Sequence, residues 1–304
     1  MEGLDGEIVI VDNESQDGSW EQFQAVAAER GWAEEGRIRV QRTGHNGGFG
    51  SGNNHAIRAG LSGGRKPDYV YLMNPDAVPE AGAIRALAGF MEAHPRAGAA
   101  GSLILTPDGT PAYGAFRFPS ILREFEDAAR TNVLSRLLDR GREPSPVALE
   151  RREVDWVSGS SVMFRQATLD AVGLFDESFF LYFEETDLCL RIKRAGWEIW
   201  SVPESRVTHI GGVATGMGRW DRVPQYWFDS RFHYFRKNYG LPYTLAVTAS
   251  LLAGEVVWSL RKLLNPKAER YRNTRRFGRD LLRHHLAALF SRPPDPPAPI
   301  EPPS

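Results

Sequence analysis

The densest group of potential catalytic side chains in this 304-residue chain follows five consecutive bulky apolar residues. Residues 179–183 read FFLYF, and Glu184, Glu185 and Asp187 come within the next four positions. A helix N-terminus stabilises acidic side chains through its macrodipole, which explains the acids but not the apolar run. Because apolar surroundings raise the proton affinity of a carboxylate, such a group suits a general base. We therefore predict a catalytic base in this segment.

Two acids follow apolar, strand-like runs earlier in the chain. Asp12 ends the run over residues 6–11, where a carboxylate could accept hydrogen bonds from a nucleobase or a ribose. Asp76 comes two residues after Asn74, behind the run 69–73, and this arrangement suits a hard divalent cation that bridges phosphates. When either motif is taken alone, an ordinary turn explains it better than a ligand site does.

Residues 46–54 read NGGFGSGNN, a Gly-rich segment that could bring backbone close to a ligand. The helix predicted to follow it, over residues 55–61, would offer free N–H groups to an anion. No Lys-Ser/Thr pair follows, and the spacing does not match a dinucleotide fingerprint. A merely flexible loop is the alternative. His209, which precedes two glycines, is a metal ligand, a phosphate contact or a structural histidine.

Strands and helices alternate through most of the chain, which predicts an α/β fold with a mostly parallel sheet and helices on both faces. The apolar runs predict strands over residues 6–11, 37–41, 68–73, 99–105, 155–165 and 197–202. Helical patterns cover residues 19–30, 80–94, 166–172 and 184–195, and residues 107–153 look irregular. Because ligands bind at the carboxyl ends of strands in such sheets, we expect the polar motifs above to lie together.

Charge and cysteine content restrict the function classes. The formal net charge of −1 argues against a nucleic-acid binder, and the single cysteine, Cys189, excludes a disulfide framework or a Cys-rich zinc site. Residues 241–260 are mostly apolar but contain Glu255, which favours an interfacial helix over a membrane span. Residues 261–292 hold ten Lys/Arg against two acids, so an anionic membrane surface is a candidate partner. The Pro-rich residues 293–304 predict a disordered tail.

Taken in order, these motifs resemble glycosyltransferase family 2, the inverting enzymes with a GT-A fold. The segments VDNESQDG, NGGFGSGNN, NPDA, SGSSVMFR, FFLYFEETDLCLR and VTHIGG occur in the family's order and approximate spacing. The resemblance covers about residues 7–240. Among members it is closest to the bacterial rhamnosyltransferase-like group that builds cell-surface polysaccharide.

The resemblance implies a role for each candidate residue. Glu185 matches the position of the catalytic base, with Glu184 as its rival and Asp187 as a supporting acid. Asp76 and His209 would hold a divalent cation, Mg²⁺ or Mn²⁺. The implied contacts to the nucleotide sugar are Asp12, Asn13, Asn46, Gly47, Gly48, Asn54 and Asn74. The implied acceptor pocket includes Trp156, Gly159 and Ser160.

The implied function is inverting transfer of a sugar from a nucleotide-diphosphate sugar to a hydroxyl of a glycan or lipid-linked acceptor. We expect a catalytic domain over residues 1–240, without the family's usual first strand and helix, and a basic helical extension over 241–292. The expected location is the cytoplasm, peripheral on the inner face of the plasma membrane. A non-catalytic nucleotide-binding remnant of the family is one alternative. A nucleotidyltransferase is the other, although the Gly-rich segment has no Lys/Arg cluster to hold a triphosphate.

Overall fold

The computed structural model describes residues 3–32, 36–131, 149–211, 220–264 and 276–290. The chain forms two compact units, the first from residues 1–117 and 146–211, the second from residues 118–145 and 212–304. The division therefore falls at Gly211, not at residue 240 where the sequence led us to expect it. Gly240, with φ 81°, kinks one long helix and does not separate two domains.

The first unit opens with a parallel two-stranded sheet and the helices that connect its strands. Its elements are β1 (Ile8–Asp12), α1 (Ser19–Glu29), β2 (Ile38–Arg42) and α2 (Gly48–Ala59). In the parallel register Ile8 lies opposite Ile38 and Asp12 opposite Arg42. The predictions for β1, α1 and β2 are confirmed to within two residues. The prediction for α2 is wrong, because this helix begins seven residues before the expected residue 55 and takes in the glycines.

A six-stranded sheet forms the centre of the first unit. Its strands are β3 (Tyr69–Met73), β4 (Ala77–Pro79), β5 (Ala97–Leu105), β7 (Arg152–Glu153), β9 (Ser161–Arg165) and β10 (Glu198–His209). The order is β3-β9-β5-β10-β4, with β7 paired to β10. Within it β5 and β10 are parallel, whereas β9 runs antiparallel to both β3 and β5. The sheet is therefore mixed. The antiparallel direction of β9 was not predictable from the sequence, because an apolar run identifies a buried strand but does not fix its direction.

The segment over residues 155–165 is divided where the sequence predicted one strand. A turn at residues 158–160 separates β8 (Trp156–Val157) from β9, and β8 pairs with β6 (Ala115–Phe116). Helices α3 (Ala83–Ala93), α5 (Gln166–Val172) and α6 (Glu184–Arg194) complete the unit. The core lies between α3 and the sheet, where Phe90 and Met91 pack against buried β5, β9 and β10 side chains. Burial of this apolar surface is the main force that holds the sheet in place.

The second unit is helical in its described part. It contains α4 (Ile121–Ala129), α7 (Gln225–Leu264) and α8 (Phe277–Phe290). Helix α4 lies inside the region 107–153 that the sequence presents as irregular, so that prediction is wrong there. The α4 and α7 backbones are in contact, since a Cβ on Gly254 would lie 2.5 Å from the Phe125 carbonyl oxygen. The fully buried Arg231 of α7 forms a 2.7 Å ion pair with Glu124 of α4.

Helix α7 contains the apolar stretch 241–260 and is, among the described residues, the one helix long and apolar enough to cross a bilayer. Length and composition alone support that possibility, and 33% of its apolar window is buried within the protein. The tail predicted over residues 293–304 lies outside the described residues.

Candidate active site

The Gly-rich segment serves close packing at the start of α2. Gly48 has φ 85°, and a Cβ there would lie 1.9 Å from the carbonyl oxygen of Phe180. The same oxygen accepts a 3.1 Å hydrogen bond from the Phe49 N–H. The N-terminus of α2 therefore lies directly against the apolar run 179–183 that precedes the acidic helix. Residue 48 must be glycine for two reasons: its φ is positive, and there is no space for a side chain beside Phe180.

The predicted nucleotide-contacting residues near β1 form one hydrogen-bonded group. Asn13 donates to the Asn46 side-chain oxygen at 3.1 Å and to the Gly48 carbonyl oxygen at 2.9 Å. Gly47 is the residue directly before α2, and a Cβ there would lie 2.5 Å from Ser51 Oγ. The structure thus brings Asn13, Asn46, Gly47 and Gly48 together beside the end of β1.

The carboxylate of Asp12 is almost completely buried and already has protein partners. The Arg42 Nε lies 3.3 Å from its Oδ2, and the Ser15 N–H donates to it at 3.3 Å. Arg42 also pairs with Glu14 at 3.0 Å and lies over the Trp20 ring, 5.5 Å from its centroid. Sequence reasoning did not single out Arg42, which comes opposite Asp12 only through the parallel register of β1 and β2.

The Asn54 side chain is bound to protein groups in the interior. Its side chain is fully buried, its nitrogen donates at 2.8 Å to both the Phe175 carbonyl and Glu177, and its oxygen accepts from the Phe175 N–H. These bonds use both amide hydrogens. The geometry therefore does not support the implied contact between Asn54 and a nucleotide sugar, and it assigns Asn54 to holding residues 175–177.

Asn74, Asp76 and His209 meet at the C-terminal end of β10, as the resemblance implies. His209 Nε2 lies 3.0 Å from Asp76 Oδ1 and 3.4 Å from Asn74 Nδ2. Antiparallel pairing of β4 with β10 places His209 opposite Ala77, and the Ile210 N–H donates to the Asp76 carbonyl at 3.0 Å. Both side chains are partly exposed, at 14% for Asp76 and 22% for His209, so a ligand can reach them.

This pair fits a divalent cation that takes its other ligands from a substrate. A carboxylate and an imidazole are both donors that Mn²⁺ accepts, whereas Mg²⁺ favours the carboxylate oxygen. Within the described ranges, no three His, Cys, Asp or Glu side chains lie close enough to hold a metal by themselves. The remaining coordination positions would belong to phosphate oxygens and water, which matches a cation on a diphosphate.

The acidic helix α6 begins after two strained residues. Tyr182 and Phe183 have φ values of 70° and 68°, in a region that residues other than Gly, Asn and Asp rarely adopt. Such strain is found where surrounding structure fixes a functional group. The positive φ angles at residues 182 and 183 set the direction in which α6, with Glu184 and Glu185 in its first turn, continues from the run 179–183.

Glu184 and Glu185 differ in burial and surroundings. Glu184 is buried, and burial together with the charge of Glu185 raises its pKa well above the usual value. Burial also raises the pKa of the partly exposed Glu185, although the N–H groups of Glu185 itself and Gly159 oppose this effect. The Oε2 atoms of both carboxylates have no hydrogen-bond partner in the described part of the chain. Of the two residues, Glu185 alone is partly exposed, although its Oε2 atom is itself buried.

The turn over residues 158–160 connects the two halves of the site. The Gly159 N–H stabilises the charged Glu185 carboxylate, and the Ser160 carbonyl accepts a 3.1 Å hydrogen bond from the Asn74 N–H. A Cβ on Gly159 would lie 2.9 Å from the Phe49 ring. Trp156, two residues before this turn, stacks on Phe116 with ring centroids 4.2 Å apart, which holds its indole ring in place.

Asp187 and Cys189 face the interior of the protein. Asp187 is fully buried and pairs at 2.9 Å with Arg191, whose guanidinium also donates to the carbonyls of residues 172–174. This contact makes Asp187 a positioning residue for α6. Burial raises the pKa of the Cys189 thiol to about 12, so the thiol stays protonated and is no nucleophile.

Known proteins share both the sequence and the fold. The family model Glycosyl transferase family 2 matches residues 2–158. N-acetylglucosaminyl-diphospho-decaprenol L-rhamnosyltransferase of Mycobacterium tuberculosis (strain ATCC 25618 / H37Rv) is 34% identical over 222 residues, which cover 69% of this chain and 68% of that protein. Rhamnosyltransferase WbbL of Escherichia coli (strain K12) is 28% identical over 170 residues, 53% of this chain and 60% of that protein.

A crystal structure of GalNAc-T7 with UDP, GalNAc and Mn²⁺ superposes with a TM-score of 0.51 at 14% identity. The match covers 92% of this chain and 48% of that chain, and at this identity it supports the fold alone. With the mixed sheet and its flanking helices, it identifies the fold as GT-A. The family model covers more than half of the residues, and the mycobacterial relative matches over two thirds of both chains. The chain is therefore a glycosyltransferase and belongs to glycosyl transferase family 2.

Proposed function

We propose that this glycosyltransferase transfers rhamnose, with inversion, from a nucleotide diphosphate to a hydroxyl group of a lipid-linked glycan acceptor in cell-surface polysaccharide synthesis. The names of the mycobacterial and E. coli relatives support rhamnose as the sugar, and the mycobacterial name supports an acceptor on a diphospho-polyprenol. The choice of sugar rests on relatives at 34% and 28% identity, and the choice of acceptor on the mycobacterial relative, so the experiment must compare several sugar donors.

The observation that carries the reaction is the geometry around Glu185. Its carboxylate has an Oε2 atom without a hydrogen-bond partner, faces the Gly159 N–H, and is linked by the turn 158–160 to Asn74. A base with a raised pKa accepts a proton from a hydroxyl group more readily than an ordinary carboxylate does. The base and the diphosphate position are thus held by adjacent residues of one turn.

Each residue then has a distinct part in the reaction. Glu185 accepts the proton of the acceptor hydroxyl group. The oxygen of that hydroxyl group attacks the anomeric carbon from the face opposite the diphosphate. The bond from that carbon to the diphosphate oxygen breaks, and the nucleoside diphosphate leaves with the bonding electron pair. A divalent cation held by Asp76 and His209, either Mg²⁺ or Mn²⁺, would supply electrostatic stabilisation for the leaving phosphate charge.

The donor's nucleoside would lie near β1, where Asp12, Asn13 and Asn46 meet. Trp156, Gly159 and Ser160 would border the acceptor, since they flank Glu185 on the side of the turn. This arrangement supports an enzyme over a non-catalytic remnant, because a binding remnant needs no base with a raised pKa next to the proposed diphosphate position. We further propose that the enzyme works in the cytoplasm at the inner face of the plasma membrane, where a lipid-linked acceptor would be available.

A transfer assay on the full chain tests this function. The protein is incubated with dTDP-, UDP- or GDP-linked sugars, rhamnose among them, and with a short-chain N-acetylglucosaminyl-diphospho-lipid, in the presence of Mn²⁺ or Mg²⁺. We expect one rhamnosylated product by mass spectrometry, with the anomeric configuration opposite to that of the donor by NMR. Donor binding without transfer to any acceptor would favour the remnant, and transfer of a different sugar would refute the choice of rhamnose.

A further inference from the structure

The second half of α7 has an exposed stripe without charge. Every residue from 242 to 258 that is exposed is apolar: Pro242, Leu245, Ala246, Ala249, Ala253 and Val256. Their spacing of three or four residues places them on one side of the helix. Leu260, Leu263 and Leu264 continue the apolar surface at exposures of 56%, 77% and 89%. An uninterrupted apolar surface of this kind marks an interaction site.

The other side of α7 belongs to the core of the second unit. Gly254 contacts the backbone of α4, Ser250 donates to the Ile121 carbonyl at 2.6 Å, and Leu251 is buried with Leu281 of α8. A bilayer that surrounded α7 would therefore also have to accommodate α4 and its acids Glu124 and Glu126. Because charged groups are costly in hydrocarbon, α7 can meet lipid only along its exposed stripe.

Helix α8 adds a second apolar stripe. Leu282, Leu286 and Phe290 are spaced by four residues and are exposed at 46%, 49% and 90%. The opposite side of α8 faces α7, where His285 Nδ1 lies 2.8 Å from Thr248 Oγ1. Both helices thus bury one side against each other. The exposed side of α7 over residues 242–258 is apolar, whereas that of α8 combines these three apolar side chains with Arg279 and Arg283.

Positive charge accompanies these stripes. Lys262, Arg279 and Arg283 are exposed, and residues 261–292 carry ten Lys/Arg against two acids. One of those acids, Asp280, is already paired with Arg222 at 2.9 Å. A second copy of this chain would bring the same positive charges together, which disfavours the chain itself as the occupant. An anionic headgroup layer complements both the charge and the apolar stripe.

We propose that α7 and α8 form a docking surface that lies in the plane of an anionic bilayer, with Leu282, Leu286 and Phe290 inserted among the headgroups. This inference rests on the proposed function in one respect, since it places the enzyme where a lipid-linked acceptor would be. The surface is interfacial and not membrane-spanning, in agreement with the interfacial helix that Glu255 favours in the sequence.

Vesicle co-sedimentation of the full chain tests the surface. We expect binding to vesicles of phosphatidylcholine with about 30% phosphatidylglycerol at low salt, weaker binding at about 0.5 M salt because of charge screening, and little binding to phosphatidylcholine alone. The triple variant Leu282→Ser, Leu286→Ser, Phe290→Ser should bind about tenfold more weakly or worse. These side chains are exposed, so circular dichroism should confirm an unchanged fold.

A matched control removes three exposed apolar side chains from the first unit: Val26→Ser, Tyr113→Ser and Leu149→Ser. We expect its vesicle binding to equal that of the parent. Equal binding by the parent and the α8 variant would overturn the docking surface, as would a parent dimer that the α8 substitutions dissociate without any vesicle binding. Transfer to a water-soluble acceptor should be unchanged in both variants, so loss of docking and failure of the proposed reaction are distinguishable.

Discussion

Gly48 and Phe180 lie backbone against backbone although 132 positions separate them in the sequence. A Cβ at residue 48 would be 1.9 Å from the Phe180 carbonyl oxygen, a distance that no side chain can occupy. This contact joins the N-terminus of α2, beside the predicted nucleotide position, to the strained segment that leads into Glu184. The proposed donor-binding residues and the proposed base are therefore positioned against each other through main-chain atoms.

Gly48→Ala should destabilise the protein by about 3 kcal/mol or more, since the left-handed conformation alone costs about 1–2 kcal/mol and the clash adds to it. Denaturant unfolding measures the change. Gly82→Ala is the matched control, because Gly82 has a similar φ of 87° but nothing within 4 Å of its Cβ position. Its cost should stay near the conformational term. Equal losses in the two variants would show that the contact with Phe180 has no energetic weight.

Asp76→Ala should abolish metal-dependent binding of a nucleoside diphosphate and leave the fold intact. The Asp76 side chain is partly exposed and pairs with His209, so its removal leaves no buried charge behind. Calorimetry with UDP or dTDP and Mn²⁺ measures the affinity. Chelation with EDTA should lower the affinity of the parent to that of the variant and have no effect on the variant itself. The same affinity in parent and variant with Mn²⁺ present would contradict the assignment of the metal position.

Glu185→Gln should slow sugar transfer by about 10²–10⁴-fold with little change in donor binding, because only the proton acceptor is removed. Single-turnover rates and donor calorimetry separate the two effects. Glu184→Gln is the control, and it should retain most of the activity because the Glu184 carboxyl is buried. If Glu184→Gln is the inactive variant, the base is one residue earlier than we assign it.

Glu184→Gln should make the protein more stable relative to the parent as the pH rises. Burial, with the neighbouring Glu185, raises the pKa of Glu184 in the folded state above its unfolded value of about 4.3. The contribution of this carboxyl to stability is thus present at low pH and is lost as the pH rises through the folded pKa. Gln does not titrate, so the difference in unfolding free energy between variant and parent should be larger at pH 8 than at pH 5.

The exposed Glu92 provides the control for this experiment, since Glu92→Gln should change stability by less than about 0.5 kcal/mol at either pH. A pH-independent difference for Glu184→Gln would mean that the Glu184 carboxyl titrates alike in the folded and unfolded chain.

The sequence predicts the site best where an apolar run fixes the end of a strand. Asp12 and Asp76 each follow such a run, so their place beyond the ends of strands follows from strand pattern and the usual ligand position of α/β sheets. His209 comes seven residues after the run predicted over residues 197–202. The pairing of Asp76 with His209 needed the resemblance as well, because 133 positions separate these residues.

Contacts that depend on register or on main-chain approach were not predictable from the sequence. The pairing of Arg42 with Asp12 follows from the alignment of β1 with β2, and no local pattern encodes that alignment. The glycines at residues 47–52 predict a loop by composition, yet Gly48, Gly50 and Gly52 lie in the first turns of α2. Phe175 and Phe180 leave little room there for side chains at residues 48 and 50. Asn54 looks like a ligand contact in the sequence because its buried partners lie more than 120 positions away.

Strand β10 is the last strand of the sheet to be synthesised, but it lies between β5 and β4 instead of at an edge. Until residues 198–209 have left the ribosome, the fully buried strand β5 lacks a neighbour on one side, and β4 has no partner among the strands that the structure describes. A nascent chain at that stage exposes an unpaired apolar edge, which is a template for association with other chains. Completion of this sheet and arrival of His209 beside Asp76, the proposed metal position, are then a single late event of folding.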